Sequence, residues 1–287
     1  MPAPLLFVLS GLTQYVGAAV AVELFARVAA PTVAWLRVFV AALVLLVVNR
    51  PWRFRAAFSR PALRTAVVFG VVLALMNVSF YVAIDHLPLG TAVALEFAGP
   101  VAVAAITGHG WRDRAAIGVA ALGVVLLAGV SLDGGPTAAV GLVAISLAAL
   151  FWAFYILLGR RVATAATPGL TGLTVAMTAG GVVLAPFFVV SAAPVVADWR
   201  LALAVLAIAV CSSVVPYGIE QVVLRRVRPA TFAVLLALLP ATAAIVGAVL
   251  LHQVPHGLEV VGLLLVSGAI ALTARSSDAP KESPPPA

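Results

Sequence analysis

GTAVALEFAGPVAVAAITG, residues 90–108, is long and apolar enough to cross a bilayer, yet it carries Glu96 and, shortly after it, the pair Gly99-Pro100. A lone carboxylate in hydrocarbon costs about 3 kcal/mol on insertion scales. Proline has no N–H to donate to the carbonyl four residues back, and that carbonyl belongs to Glu96. A charge and an unpaired carbonyl therefore coincide on one helix. A neighbouring helix, water, a proton or a substrate ammonium group has to satisfy them.

The rest of the chain shares the stretch's apolar character. Of its 287 residues 64% are hydrophobic and 9% charged, against about 25% charged in soluble domains. Such a chain cannot build a water-soluble surface, so its apolar runs read as membrane spans. The formal charge of +7 does not mark a nucleic-acid binder. The basic residues fall in short loops between apolar runs, and Lys281 is the only lysine. The single cysteine, Cys211, excludes an internal disulfide and reads as a small apolar residue.

Charged, Gly or Pro punctuation separates ten candidate helices, near 4–25, 32–49, 63–84, 89–107, 115–131, 138–158, 170–191, 200–224, 230–250 and 258–274. The fold class expected is an all-α polytopic membrane protein with ten transmembrane helices. The N-terminus lacks the basic region of a signal peptide, so the first segment reads as a retained helix. Arg50, Arg53, Arg55, Arg60, Arg64, Arg112, Arg114, Arg160, Arg161, Arg225, Arg226, Arg228 and Arg275 fall on one side, and Arg27 and Arg200 on the other. By the positive-inside rule both termini are cytoplasmic.

Sliding the chain by 140 residues lays 90–108 on 230–248, where Thr91, Leu95, Pro100 and Ala104 meet Thr231, Leu235, Pro240 and Ala244. Five helices precede five, and five is odd, so the second half enters the membrane upside down. The expected organisation is two inverted five-helix repeats, 1–136 and 137–274, and a disordered cytoplasmic tail, 275–287. Inverted repeats with interrupted helices in matching places are a transporter signature, with substrate held near the midplane.

Ionisable residues inside the spans are functional candidates by default: Glu96, Arg37 and Glu220, with Glu23 near the end of the first helix. Arg37 lies at nearly the depth of Glu96, so a bidentate pair between them is expected if their helices face each other. Glu220 reads equally as an interfacial charge near Arg225 and Arg226. Gln14, Asn77, Tyr81 and Tyr217 fit a cavity wall, and Ser212 and Ser213 share that reading or simple inter-helix bonding. Pro216 frees the carbonyl of Ser212, so with Gly99, Pro100 and Pro240 it marks a helix break. Trp152 and Tyr155 read as an aromatic belt at the interface. No metal site, cofactor motif, Walker lysine or nucleophile with its base is present, and the chain does not read as an enzyme.

Four stretches carry a family likeness: LPLGTAVALEFAGPVAVA at 87–104, NRPWRFR at 49–55, WAFYILLGRR at 152–161 and VVPYGIEQVVLRRV at 214–227. They resemble the EamA type of the drug/metabolite transporter superfamily, and within it the bacterial threonine/homoserine exporters. The resemblance spans the chain except its tail. It implies a central cavity among the first, third, fourth, sixth, eighth and ninth helices, with the fifth and tenth packed outside. Related exporters tend to carry a second acid just before the proline of the ninth helix, where this chain has Leu239. Position 236, opposite Glu96, is also apolar.

The function expected is export of small amino acids such as threonine or homoserine, or related metabolites, across the cytoplasmic membrane by proton antiport. Its partners would be a small-molecule substrate, protons and the lipid bilayer, with no nucleic acid and a homodimer left open. A permease or importer of another metabolite, and a membrane assembly protein that moves no solute, are the alternatives.

Overall fold

The computed structural model describes residues 3–107, 111–132, 136–163, 170–224 and 235–276. Helices α1 (Ala3–Leu24), α2 (Ala30–Asn49) and α3 (Arg60–Ile84) come first, followed by α4 (Leu89–Glu96) and α5 (Ala98–Thr107). Next are α6 (Trp111–Leu132), α7 (Pro136–Ala163), α8 (Thr171–Phe188) and the short α9 (Ala193–Ala197). Helix α10 (Trp199–Ala209) runs through a π turn, Val210–Val214, into α11 (Val215–Leu224), and α12 (Leu238–Leu250) and α13 (Leu258–Ser276) close the order. No strand occurs among the described residues.

Seven of these helical stretches are long and apolar enough to cross a membrane. Shorter apolar helices cover Leu89–Val103, Leu238–Leu250 and Leu258–Leu272. The chain is a multi-pass membrane protein built of helices. Proline sets several starts: Pro31 and Pro61 open α2 and α3, where a missing N–H costs nothing. Asp198 caps α10 by accepting from the backbone N–H of Arg200 at 2.8 Å.

Helix α3 packs on α7 and α8, α2 on α8, α6 on α13, and α1 on both α12 and the α10–α11 run. The tightest crossing is α3 on α8. A Cβ on Gly70 would sit 1.9 Å from the Ala176 carbonyl oxygen, and one on Gly180 2.1 Å from that of Gly70. Between membrane helices, small residues let backbones meet and so replace the hydrophobic drive that lipid cannot supply. Polar ties add to the packing. Trp35 Nε1 donates to the Gly181 carbonyl at 2.7 Å, and Asn49 donates to the hydroxyls of Thr171 and Thr174.

The expected interruptions take definite form. The fourth segment turns at Phe97 (φ −63°, ψ −11°) and the ninth at Ala237 (φ −63°, ψ −15°), each three residues before its proline. The two turns are separated by the same 140 residues as the sequence match. The eighth opens as a π turn just ahead of Pro216. Gly99 does not make its break. It lets α5 approach α7, because a Cβ there would lie 2.1 Å from the Ala149 carbonyl oxygen.

Candidate functional site

From Thr91 to Phe97 every residue is buried except Glu96, which is half-buried. Glu96 is thus the least enclosed residue of that stretch, and the last residue of α4 before the turn. Phe97 packs edge-on against Trp152 of α7, their centroids 4.7 Å apart. Trp152 is therefore set against the broken helix. Tyr155, half-buried, stacks on Phe69 at 4.8 Å.

Arg37 of α2 is buried, with 6% of its surface exposed. The expected bidentate pair with Glu96 is not formed. Arg37 Nε donates to Ser213 Oγ at 3.0 Å, and Nη2 donates to the Ser212 carbonyl. The cause lies in the sequence of the eighth helix. Pro216 withholds the N–H that would have bonded Ser212, and the freed carbonyl, with the neighbouring hydroxyl, takes the guanidinium. A charged donor makes the stronger class of hydrogen bond. Glu23 is exposed and does not compete. Among the described residues the ion pair present is Arg27 with Asp198, on the surface at 3.9 Å.

The π turn is held from a second side. Ser212 Oγ donates to the Gln14 carbonyl of α1 at 2.9 Å. Gln14 itself is half-buried, so its side chain is available to the interior while its backbone anchors the turn. Tyr81 of α3 is fully buried, and the Arg37 guanidinium carbon lies 5.4 Å from its ring centroid. That distance suits a cation–π contact. The Tyr81 hydroxyl has no hydrogen-bond partner among the described residues. Asn77, one turn away, is buried and its Nδ2 donates to the Leu73 carbonyl at 2.8 Å, leaving its side-chain oxygen unengaged by that bond.

Tyr217 is half-buried on α11 and packs against the main core. Pro240 is buried and Pro100 half-buried. The backbone of Glu220 belongs to α11, but its side chain lies outside the described part, as do residues 225–234 and the tail from 277. Arg37, Tyr81, Ser212, Ser213 and the Gln14 backbone thus form one connected group. The roles of Ser213 as an Arg37 partner and of Trp152 behind the break were not separable in the sequence. A proline four residues after Ser212 was the one available signal for the first.

The profile of the EamA-like transporter family matches residues 139–275. The threonine/homoserine exporter RhtA of Salmonella typhimurium (strain SL1344) is 33% identical over 253 residues, 88% of this chain and 84% of the relative. RhtA of Escherichia coli (strain K12) is 32% identical over 269 residues, 93% of this chain and 90% of the relative.

The chain belongs to the EamA-like transporter family.

One crystal structure, of a protein 17% identical, superimposes with a TM-score of 0.60 over 96% of this chain and 99% of the other. At that identity it speaks for the fold alone. The EamA-like family is one of transporters, not of enzymes.

Proposed function

We propose that this protein exports small amino acids of the threonine/homoserine kind across the cytoplasmic membrane, in exchange for protons. The observation that carries the reading is the likeness to threonine/homoserine exporters along about nine-tenths of the chain. Glu96 is the coupling residue in this proposal. It is the carboxylate of a buried, broken helix, able to bind either a proton or a substrate ammonium group. Burial disfavours a charged carboxylate and a nearby guanidinium favours it; Arg37 supplies that guanidinium. Asn77, Tyr81, Gln14 and Tyr217 line the path, and Glu220 is a second candidate nearer the other end of the eighth helix.

The architecture proposed is ten transmembrane helices in two inverted repeats with both termini cytoplasmic. The matching turns at Phe97 and Ala237 support it. Glu96 has Leu236 as its counterpart, so the acid is confined to the first half.

The test is counterflow of labelled threonine from proteoliposomes under an imposed pH gradient. The wild type drives efflux with the gradient, and Glu96→Gln loses the dependence on it. Gradient-driven efflux that survives Glu96→Gln unchanged would remove Glu96 from the mechanism, and no threonine movement by the wild type would remove the substrate class.

A further inference from the structure

Residues 50–64, between α2 and α3, hold five arginines: Arg50, Arg53, Arg55, Arg60 and Arg64. No acidic residue occurs anywhere from 24 to 84. All five arginines are exposed, and none takes part in an ion pair among the described residues. Three aromatic rings alternate with them. Trp52, Phe54 and Phe58 are 58%, 36% and 48% exposed.

The backbone under these side chains is built, not loose. Arg50 ends α2 in the left-handed region (φ 47°, ψ 58°), and its N–H bonds the Leu46 carbonyl. Two 3-10 turns follow, Pro51–Arg53 and Arg55–Phe58. Pro51 and Ala57 are buried, and Ala57 packs into a small cluster with Ala66, Phe69, Val175 and Ala176. The turns are therefore anchored to α3 and α8, which leaves the rings and guanidinium groups facing outward.

Because α2 and α3 each span the membrane, this segment emerges at a membrane face. Tryptophan and phenylalanine exposed there sit among headgroups. Clusters of four to eight basic residues beside a span are what anionic lipid attracts, and a guanidinium fork matches phosphate geometry. We propose that residues 50–64 form a binding surface for the phosphate headgroups of anionic membrane lipids. Arg53, Arg55 and Arg60 contact the phosphates, and Trp52 and Phe58 seat the segment at the interface. A soluble acidic partner would match the charge, but it would leave the exposed rings without a function.

The experiment uses the full chain purified in detergent with an equimolar mixture of phosphatidylglycerol and phosphatidylcholine, and native mass spectrometry to count retained lipids. The wild type retains phosphatidylglycerol in preference, and added salt weakens that retention. Replacing Arg53, Arg55 and Arg60 together by Gln lowers it on the order of a hundredfold, from roughly fivefold per arginine. These positions are exposed, so thermal unfolding of the variant matches the wild type. Equal retention of both lipids by the wild type, salt-insensitive retention, or full retention by the triple variant overturns the proposal. Retention of heparin without any lipid preference also overturns it and points to a soluble partner.

Discussion

Arg37 donates to the carbonyl of Ser212, the group that Pro216 leaves without its helical partner. A charge on α2 thus completes a defect on the eighth helix, and neither residue is explained without the other. Removing the guanidinium should leave a buried carbonyl unpaired, at a cost of about 1–3 kcal/mol. Restoring the backbone donor with Pro216→Ala should offset part of that. The expected outcome is that Arg37→Met with Pro216→Ala is less destabilised than the two single effects summed, read as thermal unfolding in detergent. Strict additivity would show that the two residues do not act on the same carbonyl.

Tyr81 offers a contrast, since its buried hydroxyl meets no partner among the described residues. Deleting it removes a group that loses its water on folding and gains nothing. Tyr81→Phe is expected to unfold at an equal or higher temperature than the wild type, by up to about 1 kcal/mol of stability. The ring that lies near Arg37 is kept. A clear drop in Tm would reveal a partner for the hydroxyl.

The α3–α8 crossing tolerates no side chain at its centre. Gly70→Ala would press a methyl into the Ala176 carbonyl, and overpacking of this kind costs about 1–3 kcal/mol. Gly118→Ala makes a suitable control, because a Cβ there meets nothing within 4 Å and helix propensity favours Ala by about 1 kcal/mol. The two substitutions should move the unfolding midpoint in opposite directions.

Position 236 tests the correspondence between the two halves. Leu236 is half-buried, as Glu96 is, whereas Ala243 is fully buried. Leu236→Glu should therefore express and remain monodisperse on size exclusion, while Ala243→Glu should not, since an unpaired buried charge costs several kcal/mol. Equal loss of both would mean that position 236 opens onto no polar space.

Much of this was legible in the amino-acid sequence, for physical reasons that differ from residue to residue. Apolar run length gave the helices, because a bilayer fixes how long a span must be. The interruptions at 97 and 237 and before Pro216 followed from a single fact about proline, its missing donor. The identity of each replacement partner was not accessible in the same way. Arg37 was assigned to Glu96 on depth and charge alone, but which faces of two helices meet depends on packing across more than 170 residues of chain. Gly99 was read as part of a break when its task is to let α5 reach α7. That Trp152 meets Phe97 could not be read either, because an aromatic residue near a helix end carries no mark of which neighbour it will meet.

Leu89 opens α4 with its N–H bonded at 2.8 Å to the Oε1 of Gln253, 164 residues later in the chain. Pro88, the residue before it, offers no side-chain cap. Synthesis at about 5–20 residues per second separates the two partners by on the order of 10 s. Throughout that interval the helix that ends at Glu96 is on the growing chain with its leading donor unclaimed. The last loop to be made therefore finishes one of the middle helices, and an arrest of translation before residue 253 would leave a nearly full-length chain whose acid-bearing helix has not yet been closed.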